Sequence, residues 1–557
     1  MAEDEQNCLK KLKILREEVC WEVEVARHEI LDRFEHLIRN GTGKLPNLRD
    51  TFQPEEIDWL LIIDAFNKVK TSGVPLIEFV IRTGYKDEPE LDKDGKPLFN
   101  RTTPIHRAAK TLKPSINETI SKLFEIYNKF DVNYIDESGL THFNVACMSD
   151  CYEVVKKFLK LNKSLAQNLV DPPLLLTLYS NHFTTVAQLL LRSGANPNVA
   201  DAEGLTPLHI IGEKDNIFDD YFAKLFFKIC DELCQPVQVN ARDKKGRTPL
   251  HLSISKGNEK LTRFLLKKGA DLELVTDDGL NPLHIVCKSD DIFLHYREEM
   301  VSLIFEVNND KNQLVNAVDK LGRTPLQWAV ANFLSVIVDV ILDHGADLSN
   351  FVFPTEDYFA QRHKLEYTLG MVVFPTMSIV ESLKKKGYIL DQNAALMIMK
   401  FFAENGLIDE SVDISECLLK DEELVSFAKK QIVSQSMSIY DFLQLPPEKA
   451  EKFFTLENYL EFTYRISHLP DESHRAYVKY LCETVSRGFF RDWALKLFSE
   501  KTCSWLPKPY CEMLIMQLKI KGLWNICMVS VGENTQWLDS VRTDYMKKHY
   551  IKKGTLY

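Results

Sequence analysis

A tetrapeptide that keeps returning is the feature that most constrains this chain. Thr206-Pro207-Leu208-His209 and Thr248-Pro249-Leu250-His251 are identical copies. Near copies stand at Thr103-Pro104-Ile105-His106, Asn281-Pro282-Leu283-His284 and Thr324-Pro325-Leu326-Gln327. Two weaker segments fit between, at Thr141-His142-Phe143-Asn144 and Pro172-Pro173-Leu174-Leu175. With the second position as the mark (104, 142, 173, 207, 249, 282, 325), the intervals are 38, 31, 34, 42, 33 and 43 residues. The unit is therefore about 33 residues with insertions. Other positions keep step: Gly139, Gly204, Gly246, Gly279 and Gly322 precede the Thr position by two, and Asp136, Asp201, Asp243 and Asp319 precede those glycines by three. Gly-Ala-Asn or Gly-Ala-Asp closes units at Gly194, Gly269 and Gly345.

Each element has a mechanical reason. In Asp-x-x-Gly the carboxylate bonds backbone N–H groups two residues on, and Gly supplies positive φ. Thr caps a helix and Pro takes its first turn, where a missing N–H costs nothing. The closing Gly suits a left-handed helix C-terminus. Two short amphipathic helices lie between, such as 249–256 and 259–267, the second with Leu261, Phe264 and Leu265 on one face. One turn and two helices cannot bury their own apolar face, so units stack into a solenoid. The repeats resemble the ankyrin family, whose signature is T-P-L-H-x-A. Residues 74–84 are expected to supply the second helix of an N-terminal capping unit, and 378–387 and 393–406 to be helices of decayed repeats.

The repeat histidines His106, His209, His251 and His284 are read as structural, because one His per unit of a linear stack cannot converge on a point. The ankyrin resemblance implies that they tie neighbouring turns together. Twelve cysteines in 557 residues form no compact framework and suit a reducing compartment. The i, i+4 pairs Cys147/Cys151 and Cys230/Cys234 lack two further ligands for zinc. Gly41-Thr42-Gly43-Lys44 fails the phosphate-loop spacing, with Ile38 and Leu45 where Gly and Ser or Thr are required. No catalytic signature is present, and a formal charge of −11 disfavours nucleic acid as the main partner. Residues 1–11 lack the apolar run of a secretory signal, and no stretch approaches the ~18 apolar residues of a membrane span. A cytoplasmic monomer without cofactor or metal is expected, located in a host-like cytoplasm or nucleus.

Upstream, Leu12, Leu15, Val19, Val23, Ala26, Ile30, Phe34 and Leu37 form one apolar stripe, expected to pack on the neighbouring domain. From about Met437 the chain becomes helical and aromatic-rich, with apolar positions Phe442, Leu443, Leu460, Phe462, Leu481, Phe489, Trp493, Leu497, Leu514 and Leu518. The strings CETVSRGFFRDWAL (482–495) and 506–527 resemble the PRANC domain at the C-terminus of ankyrin proteins of poxviruses, intracellular bacteria and parasitoid wasps. Residues 84–109 are similar to the wasp-type members. The predicted fold is all-α. An N-terminal helix (1–45) and helical cap (46–100) lead into ankyrin repeats (101–350) and decayed repeats or connector (351–436). A PRANC/F-box-like domain (437–530) and a tail (531–557) follow.

PRANC domains are similar to F-boxes, which dock on the Skp linker of SCF (cullin-RING) ubiquitin ligases. That similarity implies docking through Leu506, Pro507, Leu514, Ile515, Leu518 and Leu523, with Pro509 and Gly522 departing from the acidic residues usual there. The solenoid would capture a target, with Lys244, Lys245, Arg247, Asp277, Asp278, Lys320 and Arg323 at its turns as candidate contacts. The resemblance thus implies a ligase adaptor acting on host or immune signalling. Two other classes stay open: a binder that sequesters its target without a ligase, and an effector enzyme with a site in the first hundred residues.

Overall fold

The computed structural model describes residues 2–18, 21, 46–67, 76–110, 116–167, 172–180, 185–214, 220–288, 294–307, 311–354, 369–409, 422–434, 437–445, 449–450, 471–502 and 506–529. Within these the chain is mostly helical. It divides into two compact units, Met1–Asp277 and Asp278–Tyr557. The division falls inside the stretch that the sequence reads as one array. Stripe positions from Val19 to Leu37, the turn at 40–44, Leu460, Phe462 and the tail lie outside the described residues.

In the first unit, α1 (Ala2–Glu17), α2 (Pro54–Asn67) and α3 (Leu76–Arg82) precede the repeats. Leu12 and Leu15 of α1 are buried, and Arg16 bonds Glu56 of α2 at 2.9 and 3.2 Å. Over its described part, then, α1 is tied to α2 by this ion pair. Helix pairs follow: α4 (Pro104–Ala109) with α5 (Ile116–Ile126), α6 (His142–Met148) with α7 (Tyr152–Leu161), and α8 (Pro173–Tyr179) with α9 (Thr185–Arg192). Then come α10 (Pro207–Glu213) with α11 (Tyr221–Glu232), and α12 (Pro249–Ser255) with α13 (Glu259–Lys267). The second unit opens with α14 (Pro282–Lys288), α15 (Leu294–Val307), α16 (Lys311–Asn316), α17 (Pro325–Ala331) and α18 (Ser335–Asp343). A first helix begins at every one of the seven positions marked by the repeated motif.

The turns behave as their composition dictates. Oδ1 of Asp136, Asp201, Asp243 and Asp319 accepts from the backbone N–H two residues on (Ser138, Glu203, Lys245, Leu321; 2.8 to 2.9 Å). It also accepts from the N–H four residues on (Leu140, Leu205, Arg247, Arg323; 2.8 to 3.0 Å). Gly246 shows why the following position is so restricted. Its φ is +71°, and a Cβ there would lie 2.7 Å from the Asp277 backbone nitrogen and clash with the Asp277 carboxylate. Gly139 has φ +88° with nothing within 4 Å of that point. Gly139→Ala is thus expected to cost about 1 kcal/mol, the left-handed penalty alone. Gly246→Ala should cost about 3 kcal/mol, because the neighbouring turn must move as well. Urea unfolding of the two variants checks the difference.

Beyond the repeats, α19 (Leu369–Lys385) begins nine residues before the expected 378 and carries Pro375 inside it. Pro removes one helical hydrogen bond, but Val372, Val373, Phe374 and Ile379 are all buried around it and hold the helix. Then follow α20 (Gln392–Glu404), α21 (Glu422–Lys430) and a short antiparallel pair, β1 (Ile432–Ser434) with β2 (Met437–Ser438). This pair is a departure from the all-α expectation; the β-branched Ile432 and Val433 favour extended backbone. The last helices are α22 (Ile439–Leu443), the 32-residue α23 (Asp471–Thr502), α24 (Lys508–Met516) and α25 (Ile520–Val529). Helix α23 packs on α24, α25 and α19, and α19 packs on α18. The C-terminal helices are thus built onto the connector and the last repeat pair.

Candidate protein-interaction surfaces

The surfaces rest on a frame that the histidines fasten. In three units the imidazole Nδ1 accepts from its Thr backbone N–H: His106 from Thr103 (3.1 Å), His209 from Thr206 (3.2 Å) and His251 from Thr248 (2.9 Å). The proton therefore sits on Nε2, which points at a carbonyl of the next turn. The acceptors are Tyr134 O for His106 (3.3 Å), Arg247 O for His209 and Leu274 O for His251 (both 3.0 Å). In the second unit His284 Nε2 reaches Arg323 O at 3.0 Å. Gln327 replaces His in the last copy and keeps both links, accepting from Thr324 N (2.9 Å) and donating to Val352 O (3.1 Å). Burial pushes the His106 and His251 pKa down to about 4 and lowers those of His209 and His284. The helix-starting prolines Pro104, Pro207, Pro249, Pro282 and Pro325 are buried beside them.

The turn tips are joined main chain to main chain. Lys244 N donates to Glu203 O, Asp277 N to Lys245 O, and Lys320 N to Asp278 O, each at 2.9 Å. Their side chains divide into two sets. Arg247 Nε is held on Asp243 Oδ2 at 2.7 Å, and the Arg323 guanidinium lies 5.0 Å over the Trp328 ring, whose Nε1 bonds Asp319. These two candidate contacts brace their own turns. Lys244 pairs loosely with Glu203 (3.7 Å) and Asp277 with Arg242 (3.2 Å), all well exposed, where such pairs contribute little. Lys245, Asp278 and Lys320 are exposed. Lys320 is flanked by Val318 and Leu321, which are 57% and 70% exposed.

In the C-terminal helices, Pro507 caps α24 and Pro509 lies in its first turn, where a proline is accommodated. The six residues assigned to linker docking do not share one environment. Leu506, Ile515 and Leu523 are buried in the helical packing, Leu514 and Leu518 are half-buried, and Pro507 is exposed. Met513 and Met516 add exposed apolar surface on the same helix (47% and 49%). Gly522 has a specific local effect: a Cβ there would lie 3.3 Å from the Leu518 side chain, and Arg487 Nη2 donates to Leu518 O at 2.9 Å.

Two polar sets escaped the sequence reading. Asn198, Asn240 and Asn316 each stand three residues before a turn Asp, as does Asn133, so the signal was present in the spacing. Asn240 donates to Gly269 O (3.2 Å) and accepts from Asp271 N (3.0 Å), and Asn316 does the same with Gly345 O (3.2 Å) and Asp347 N (2.8 Å). Asn198 links to Pro236 O and Gln238 N at 2.7 Å each. The second set is a buried cluster ahead of the first clear repeat. Arg101 bonds Asp58 of α2 (2.5 Å) and Asp87 (2.9 Å), Tyr127 donates to Asp58, and Tyr134 donates to Asp87 (2.7 Å). Among the described residues no group of three or more His, Cys, Asp or Glu is placed to hold a metal. Nor is any described helix long and apolar enough to cross a membrane.

Comparison with known proteins agrees with this geometry. The family model "Ankyrin repeats (3 copies)" matches twice, over residues 174–276 and 221–314. An ankyrin repeat protein of Rickettsia bellii is 24% identical over 244 residues, covering 43% of this chain and 65% of its own. Human Rabankyrin-5 is 32% identical over 164 residues, 29% of this chain and 13% of its own. Mouse ankyrin repeat and SOCS box protein 16 is 30% identical over 161 residues, 28% of this chain and 33% of its own. The chain thus spans 65% of the bacterial relative's length and a much smaller part of the two mammalian ones. The chain carries ankyrin repeats, and ankyrin repeats are modules for binding other proteins.

Proposed function

We propose that this protein is an adaptor: the ankyrin repeats hold a target protein, and α24 with the following turn recruits it to an SCF (cullin-RING) ubiquitin ligase through a Skp-type linker. The supporting observation is the division of labour around α24. Leu506, Ile515 and Leu523 support the helix from within, while Pro507, Leu514 and Leu518, with Met513 and Met516, are the apolar groups accessible to a partner. The mechanism is geometric. Holding target and ligase on one chain raises the effective concentration of target lysines near the charged conjugating enzyme, and no residue here needs to react. The PRANC resemblance extends this to control of host or immune signalling from the cytoplasm or nucleus.

The test is binding of purified Skp-type linker to the intact chain and to Leu514→Asp/Leu518→Asp, with circular dichroism to establish that the variant is folded. A well-packed apolar anchor contributes about 2 kcal/mol or more to an interface, so the double change is expected to weaken binding at least ~100-fold. Equal binding by both chains contradicts docking at α24. The burial of Leu506, Ile515 and Leu523 favours a second reading, in which the C-terminal helices only close the fold and the repeats sequester a signalling protein. That reading predicts no linker binding by either chain.

A further inference from the structure

The second helices of the repeats are rich in cations, and most of them are matched with acids. Lys122 bridges Glu78 and Glu118 (2.6 and 2.8 Å), Arg192 meets Glu232 (2.7 Å), and Lys224 meets Asp220 (2.8 Å). Arg263 pairs with Glu259 (3.0 Å) and Lys268 with Asp231 (3.2 Å). Helix α7 breaks this pattern. Val155, Phe158 and Leu159 face the core, which turns Lys156, Lys157 and Lys160 to solvent. Lys163 follows at the start of the 3-10 helix Lys163–Gln167. Phe130 packs 5.2 Å from Phe158, with Lys157 5.1 Å over its ring, so exposed Lys129 belongs to the same surface. None of these five lysines makes an ion pair among the described residues. Glu153, the one acid in α7, and Asp131 are exposed and likewise form none.

Nothing in the fold calls for this arrangement. Lys156 and Lys160 are four apart on one helix, where like charges oppose helix formation. Lys156 is drawn over the Tyr152 ring at 5.6 Å, a contact that leaves its charge exposed. Leu161, 62% exposed, stands among the lysines. The chain as a whole is acidic, with a formal net charge of −11 that already counts these lysines. At physiological salt the field of the patch reaches only about 8 Å. The lysines of α7 lie on one ten-residue helix, about 15 Å long, which a long polyanion or an extended anionic surface would overrun. A short acidic segment meets the lysines alone, and one apolar side chain of it can cover Leu161.

We propose that this face of α7 is a second protein-interaction surface, which takes a short acidic segment of a partner protein with carboxylates on Lys156, Lys160 and Lys163 and an apolar side chain on Leu161. Compact ammonium groups on flexible stems suit single carboxylates, and the interaction is strongly salt-dependent. The probe is a fluorescent glutamate peptide interrupted by leucines, titrated into the full chain at low and high salt. Lys156→Glu/Lys160→Glu is expected to weaken binding at least ~10-fold, and Lys156→Ala/Lys160→Ala to give a smaller loss should the charge reversal disturb folding. Lys228→Glu/Lys267→Glu, with the same change in net charge on the exposed sides of α11 and α13, is expected to bind normally. Equal losses at both places would mean that net charge alone is responsible, and no loss at α7 would overturn the proposal. Anionic vesicles or RNA bound through these lysines in preference to the peptide would overturn it too.

Discussion

Replacing Arg101 by Ala is expected to cost the first unit about 3–5 kcal/mol, the usual result of removing one partner from a buried ion pair. The guanidinium holds two carboxylates that burial leaves with little water: Asp58 from α2 and Asp87 from the segment after α3. Tyr127 and Tyr134 donate to the same carboxylates, but a hydroxyl does not neutralise a charge. Two carboxylates against one guanidinium leave the cluster one charge negative. Desolvation raises the Asp58 pKa to about 6, and Arg101 only partly counters it. Asp58→Asn added to Arg101→Ala should therefore recover part of the loss, because it removes one stranded charge. The check is the urea-unfolding midpoint of both variants; a single variant as stable as the parent contradicts the role given to the cluster.

Acidification should destabilise the repeats steeply. His106 and His251 titrate at about 4 in the folded chain, and His142, His209 and His284 are lowered by burial as well. Between the unfolded value of about 6.5 and a folded value near 4, the unfolded chain binds the proton and the folded chain does not. Stability is therefore complete above about pH 6.5 and falls as pH drops toward 4, by up to about 3 kcal/mol for each fully shifted histidine. Asp58 acts in the opposite sense: its raised pKa adds stability as pH falls from about 6 toward 4. One carboxyl does not balance five imidazoles. Below pH 4 the lowered Asp136 and Asp243 carboxyls extend the loss as they protonate. Thermal melts from pH 7.5 to 4 should show a continuous fall in midpoint; a flat profile contradicts the neutral, bonded histidines.

The motif positions made the repeat frame legible because each rests on a local rule: Asp and Gly for a turn, Thr and Pro for a helix start, Gly for a helix end. Those rules placed the start of α12 at Pro249 and both ends of α13. The asparagine contacts were equally local and could have been read from the fixed three-residue offset to Asp201, Asp243 and Asp319. The Arg101 cluster could not. It gathers residues 58, 87, 101, 127 and 134, whose spacing follows no period, because it is made by packing between elements. The docking residues at α24 fall between these cases. Sequence places Leu514, Ile515 and Leu518 on one short stretch, but only packing against α23 decides that Ile515 turns inward and the other two remain accessible.

Hydrogen–deuterium exchange of the full chain, with and without purified Skp-type linker, tests the adaptor account most directly. The account predicts new protection over residues 507–518 when linker is added, with the turn tips at 242–247 and 318–323 unchanged and left open for a target. Linker that protects the turn tips instead, or leaves 507–518 exchanging as before, contradicts it.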